Sequence, residues 1–191
     1  MAKIFFISGP SGVGKGTLIA ELRKKFPNFF FPPSCTTREM RPGEVDGKTY
    51  FFVSRAEFLR RIDRGEFLEW ARVHGGNFYG TLKKPILSAI EKGQNVIREF
   101  DVQGFDSARK ILPREIYCGI FLRPADSIEK LVERISARAP ISDEEISARI
   151  FSMKKELAAA KNYDAEILSE NGEIEKMVAA AEKIIAENLE N

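Results

Sequence analysis

Nine consecutive residues, Gly9-Pro10-Ser11-Gly12-Val13-Gly14-Lys15-Gly16-Thr17, constrain this chain more than any other part of it. They follow an apolar run, Lys3–Ser8, and precede an amphipathic segment, Lys15–Lys25, with Leu18, Ile19 and Leu22 on one face. The run predicts a buried strand and the segment a helix. Glycines between them permit dihedrals and close backbone approaches that other residues resist. Successive N–H groups of such a loop can converge on phosphate oxygens, and the following helix directs its positive dipole end at the same anion. Strand, glycine-rich loop ending in Gly-Lys, and helix, in that order, make a P-loop, a binding element for nucleoside triphosphates. Lys15 is placed to reach the β- and γ-phosphates. Gly16 stands where the pattern usually has a hydroxyl, and Thr17 follows one residue late. A triphosphate-bound Mg²⁺ is therefore expected to meet Thr17 through water.

The rest of the chain alternates strand and helix, which predicts a parallel sheet with helices on both faces. Asn95–Asp101 and Tyr117–Leu122 read as further central strands, and Ala165–Ser169 as a weaker one. Ser54 with Glu57 forms a capping box before one helix. Pro85 suits the first turn of another, running to Glu91. Further helices are predicted from Asp126 to about residue 137, from Ser142 to about residue 161, and from Ile174 to Leu189. The segment 34–81 differs: it is rich in turns and aromatics, with strand-like Thr49–Val53. The predicted architecture is an α/β P-loop core, residues 1–33 and 82–191, carrying a small mixed α+β insertion at 34–81.

A length of 191 residues suits such a core plus one small insertion. With 43% apolar and 30% charged residues the composition is that of a soluble globular protein. The net charge of +2 argues against a broad nucleic-acid surface. No run approaches the roughly 18 apolar residues of a membrane span, and the N-terminal apolar run is too short for a signal peptide. Cys35 and Cys118 form no metal pattern with the single histidine, His74. They read as reduced thiols of a cytoplasmic protein.

Several residues suit a second anionic ligand. Arg38 and Arg41 offer guanidinium forks that match phosphate oxygens, and Tyr50 and Tyr79 offer neutral hydroxyl donors. Glu69 sits among apolar residues, where a carboxylate needs a donor partner. Asp101, at the end of a predicted strand beside the loop, can hold Mg²⁺. Glu99 shares its face of that strand. Arg98, before Glu99 and on the opposite face, has no evident partner. Arg134, Arg138 and Arg149 lie on or beside the two helices after Asp126. His74 falls in a glycine-flanked loop and is not expected to be catalytic.

The blocks Gly9–Thr17, Ser34–Arg41, Arg41–Val53, Glu66–Trp70, Asn77–Thr81 and Asp101–Gly104 resemble guanylate kinase, in order, across residues of about 3–165. The resemblance implies phosphoryl transfer from ATP to GMP, and to dGMP, with Mg²⁺. It implies that Gly9–Thr17 binds ATP and that Arg38, Arg41, Tyr50 and Tyr79 hold the GMP phosphate. It implies that Ser34, Glu69, Thr81 and Glu99 read guanine, that Asp101 and Thr17 serve the metal, and that residues 126–160 form a lid. Lys15, Arg38, Arg134, Arg138 and Arg149 would carry catalysis by neutralising the transferring group. The chemistry is consistent: guanine presents N1–H and N2–H₂ donors that one carboxylate can accept together. Three positions depart from the family: Arg98 is usually apolar, Ala139 usually glycine, and Ser169 usually an asparagine that seats adenine. The competing readings are another nucleoside monophosphate kinase, a non-catalytic guanylate-kinase-like interaction module, and a kinase of a ribose phosphate. No protein partner is legible.

Overall fold

A computed structural model describes residues 1–72, 76–136 and 143–190, without the side chains of residues 134–136 and 143. His74, Arg138, Ala139 and Pro140 lie outside the described residues, as does the side chain of Arg134. The elements run β1 (Ile4–Ser8), α1 (Lys15–Lys25), β2 (Ser34–Thr36), β3 (Tyr50–Phe52), α2 (Arg55–Asp63), β4 (Phe67–Arg72) and β5 (Phe78–Leu82). They continue as α3 (Lys83–Glu91), β6 (Val96–Glu99), α4 (Val102–Ala108), β7 (Tyr117–Pro124), α5 (Ile128–Ser136), α6 (Asp143–Ala158), β8 (Ala165–Ser169) and α7 (Ile174–Glu190).

Four parallel strands form the central sheet, in the order β6-β1-β7-β8. Every residue of β1 is buried, as a strand covered on both faces requires. Phe5 and Ile7 pack towards Leu18 and Leu22 of α1 and Met177, Ala181 and Ile185 of α7. Ile4 and Phe6, of opposite parity, pack with Ile86 and Ala89 of α3 and Phe105 and Ala108 of α4. Thus the alternation along one pentapeptide assigns a helix pair to each side.

Gly119 in β7 is required by this second layer. A Cβ there would lie 2.5 Å from Phe105 Cζ and 3.0 Å from Tyr163 Cδ1. Those two rings stack with centroids 4.2 Å apart, so neither can yield alone. Gly119→Ala is expected to destabilise the fold by about 1–3 kcal/mol through overpacking, read as a melting point lowered by several degrees. An unchanged melting point would mean that the ring pair shifts freely.

The second sheet, β3-β2-β5-β4, is mixed: β2 pairs parallel with β3, while β5 pairs antiparallel with both β2 and β4. Its small core joins Phe58 of α2 to Cys35, Phe67 and Phe78, with Phe58 and Phe67 stacked at 4.4 Å. The capping box forms as its sequence predicts, Ser54 Oγ accepting from Glu57 N at 3.1 Å. The carboxylate of Glu57, bonded by Arg61 and Arg60, is pulled down to about 2.

Three expectations change. The insertion holds four strands where only Thr49–Val53 was strand-like, because β2, β4 and β5 lack regular alternation. The strand expected to reach Asp101 stops at Glu99, since Asp101 Oδ1 accepts from Gly104 N at 2.6 Å and caps α4. That helix had no sequence signature, because Gly104 interrupts its seven residues. The helix expected to reach residue 161 ends at Ala158, followed by a 3-10 turn over Ala160–Asn162. Both cysteines are free and buried, and burial pushes the Cys35 thiol up to about 11 and the Cys118 thiol up to about 12. No helix among the described residues is long and apolar enough to cross a membrane.

Candidate active site

The glycine-rich loop turns between β1 and α1. Gly9 has φ of +148°, and a Cβ there would stand 2.6 Å from Leu122 O, so the loop passes too close to β7 for a side chain. Gly14, at φ +98°, is the N-cap of α1. The first helical N–H to find its acceptor is that of Leu18, onto Gly14 O at 3.0 Å. The N–H groups of Lys15, Gly16 and Thr17 precede it and are the orphan donors that an anion satisfies. Lys15 Nζ donates to Gly9 O at 2.7 Å and Pro10 O at 3.1 Å, and lies 4.0 Å from Glu99 Oε1. Gly16 is exposed with open space around its Cβ position, so packing does not demand glycine there. Thr17 is exposed on the same turn.

The far side of the loop is closed by Ser169. Its buried hydroxyl donates to Val13 O at 2.7 Å, tying the end of β8 to the loop. This is what the residue at the usual asparagine position does here.

Between the two sheets opens a cleft of about 460 Å³. Its lining includes Ser34 from β2, Tyr50 from β3, Glu69 from β4, Tyr79 from β5, and Arg98, Glu99 and Asp101 from β6 and the turn after it. Six of these seven were candidates from sequence; Arg98 was not. Its signal was a lone arginine after two apolar residues, and its partners are far along the chain. It donates to Pro32 O at 3.0 Å, Ser34 Oγ at 2.7 Å, and Thr81 Oγ1 at 2.7 and 3.1 Å. Thr81 in turn donates to Glu69 Oε1 at 2.6 Å. Thr81 is fully buried and stands behind the lining, so it touches the cleft through Glu69. Burial pushes the Glu69 carboxyl up, while the Thr81 hydrogen bond and the Arg98 charge pull it down.

The candidate arginines Arg38, Arg41 and Arg149 are not part of this lining. Arg38 Nη2 pairs with Glu44 Oε1 at 2.6 Å, and its guanidinium lies 5.4 Å from the Tyr50 ring centre. That bond, with a second from Arg41 N at 2.8 Å, holds the Glu44 carboxyl low. The Arg41 side chain is exposed. Arg149, half-buried on α6, bonds Glu145 Oε1 at 2.7 and 3.1 Å. The geometry thus brings the base-reading candidates to one cleft, while Arg38 and Arg149 pair with carboxylates outside its lining and the Arg41 side chain is exposed. Lys48, Thr49 and Arg23 also line the cleft, with no motif to mark them.

Known proteins share this fold. The family model described as guanylate kinase matches residues 1–188. A guanylate kinase of Carboxydothermus hydrogenoformans is 43% identical over 179 residues, covering 94% of this chain and 85% of its own. One of Corynebacterium efficiens is 40% identical, covering 96% of this chain and 94% of its own. The crystal structure of guanylate kinase from Anaplasma phagocytophilum superposes with a TM-score of 0.70 at 31% identity, covering 97% of this chain and 85% of that one. A shikimate kinase structure from Bacteroides thetaiotaomicron, 13% identical with a TM-score of 0.52, shares the fold. With a family model spanning nearly every residue and relatives of 40% identity or more along most of their length, the chain belongs to the guanylate kinase family.

Proposed function

We propose that this protein transfers the terminal phosphoryl group of ATP to GMP, and to dGMP, giving ADP and the corresponding diphosphate. The observation that carries it is the continuity of two sites. Glu69, an acceptor suited to N1–H and N2–H₂ of guanine, lines the same cleft as Glu99, which lies 4.0 Å from the loop lysine. In the transfer, an oxygen of the GMP phosphate forms a bond to the γ-phosphorus while the bond to the β,γ-bridging oxygen breaks. Such a step is governed by positioning and charge neutralisation. Lys15 and the orphan N–H groups of α1 hold the donor phosphates. Tyr50 and Tyr79 meet the acceptor phosphate from the cleft wall. Arg38 and Arg41 reach it from the margin, where phosphate competes with Glu44 for Arg38.

The donor set fits Mg²⁺. Asp101 is exposed, and one of its oxygens is used as a helix cap, which leaves the other for a metal. Thr17 adds a hydroxyl through water. No group of three or more candidate ligands stands together among the described residues. That suits an ion that keeps its waters and arrives with phosphates. When bound, Mg²⁺ supplies charge neutralisation at the phosphates. Residues 34–81 form the GMP-binding unit, 1–33 and 82–191 the core, and about 126–160 the lid. Arg149 acts from the lid together with Arg134 and Arg138.

The test is ADP release from ATP and Mg²⁺ with GMP, dGMP, AMP, CMP and UMP offered separately. Turnover is expected with GMP and dGMP. Turnover with AMP or UMP but not GMP would overturn the acceptor. Tight GMP binding with no turnover would favour the non-catalytic interaction module.

A further inference from the structure

Arg98 follows two buried residues of β6, Val96 and Ile97, and carries its charge into the space between the sheets. Its hydrogen bonds go to the segment before β2, to β2 itself and to β5. One side chain on the central sheet therefore holds two strands of the second sheet and the segment leading into it. Its guanidinium also lies 5.8 Å from the Phe100 ring centre, which fixes its plane.

An arginine has five N–H donors and no acceptor. Any hydroxyl bonded to it must accept. Thr81 Oγ1 takes two of these bonds, which fill its acceptor capacity, so its only remaining role is to donate. It donates to Glu69 Oε1. Ser34 Oγ takes one bond, and its own proton must point away from the guanidinium. Among the described residues no acceptor takes that proton, and Ser34 lines the cleft. The arginine thereby fixes where two groups of the cleft wall stand: the Ser34 hydroxyl directly, and the Glu69 carboxylate through Thr81.

We propose that Arg98 is a positioning residue that fixes the Ser34 hydroxyl directly, and the Glu69 carboxylate through Thr81, at the cleft wall, so that the two together meet the 6-oxo group and the N1–H of one purine. This rests on the reading that GMP is the acceptor substrate. Guanine offers O6 to the Ser34 proton and N1–H to Glu69. Adenine offers an amino group and a lone pair, and its lone pair meets the Glu69 carboxylate without a proton between them. With an apolar residue at position 98, the Ser34 hydroxyl and Thr81 would lose the group that holds them, and the spacing of Ser34 and Glu69 would no longer be fixed. Arg98 acts through its neighbours and need not touch the base.

The test compares the wild type with Arg98→Met, Arg98→Lys, Ser34→Ala and the Arg98→Met/Ser34→Ala double variant, using ATP with GMP, IMP or AMP. Base preference is also read by calorimetric binding of the same monophosphates, independently of turnover. Arg98→Met is expected to raise the KM for GMP about tenfold, the worth of one hydrogen bond, with a smaller change in kcat. The preference for GMP over AMP should fall by at least as much. Ser34→Ala should cost about tenfold alone but little on top of Arg98→Met, because the two act through one contact. Arg98→Lys should recover part of the preference, since an ammonium also only donates.

Additive effects of Arg98→Met and Ser34→Ala, with an unchanged base preference, would overturn the proposal. Should Arg98→Met not fold, Arg98→Lys and Ser34→Ala decide it. A folded Arg98→Lys with wild-type preference and KM for every base would overturn it. Failure of the wild type to turn over GMP would strike the acceptor assignment instead, while the binding series would still support or refute the role of Arg98.

Discussion

Replacing Lys15 with alanine should lower phosphoryl transfer by on the order of 10³-fold, the cost of removing a fixed charge from the reacting phosphates. The side chain starts from the first turn of α1 and folds back over the loop, 2.7 Å from Gly9 O and 3.1 Å from Pro10 O. Its ammonium is thus held where the loop would place the β- and γ-phosphates. On the proposed reading GMP lies against β2, β4 and β5, on the other side of Glu99, and GMP affinity should change by less than about threefold, because the 4.0 Å approach of Lys15 to Glu99 is the contact that links the two sites. Single-turnover assays and calorimetric titration with GMP separate the two effects. Loss of GMP binding together with activity would show that the two carbonyl contacts of Lys15 hold the loop and the cleft together. In that case its role would be structural.

A second large effect is expected from Glu69→Gln, which should lower kcat/KM for GMP by on the order of 10²–10³-fold, mostly through KM. The reason lies in the hydrogen-bond directions behind the cleft. Thr81 can only donate, since Arg98 fills its acceptor capacity. A glutamine at position 69 must therefore turn its carbonyl oxygen to Thr81 and its amide nitrogen to the base. That places donor against donor at guanine N1–H or N2–H₂. IMP, which lacks the 2-amino group, should lose less than GMP. An equal loss for the two would mean that Glu69 does not contact the 2-amino group. Thermal unfolding of the same variant checks that the cleft wall remains folded.

The parts of the site that were legible from sequence are those whose geometry is local. The phosphate loop lies within nine residues, and its N–H groups converge because β1, three positive-φ glycines and the first turn of α1 are contiguous. The capping box of α2 is equally local. By contrast, β2, β4 and β5 hold their places through pairing with one another, and no alternation within each marks it in advance. Helix α4 depends on Asp101, read from sequence as a metal candidate. The same carboxylate serves as a cap in the fold, and the two uses need different oxygens.

Sequence alone determined the order of the motifs, the P-loop, and the chemical identity of the acids and tyrosines gathered around it. It did so because backbone geometry over a few residues follows from residue type. Only the tertiary structure decided what those side chains do to one another. Arg98 reaches partners 66, 64 and 17 positions away, one in the segment before β2 and two on strands of a different sheet. Thr81 proves to be buried behind the cleft wall, and Ser169 to be tied to Val13 across 156 positions. A hydrogen bond depends on where two groups meet in space and in which direction the proton points. Neither is encoded at any single position of the chain.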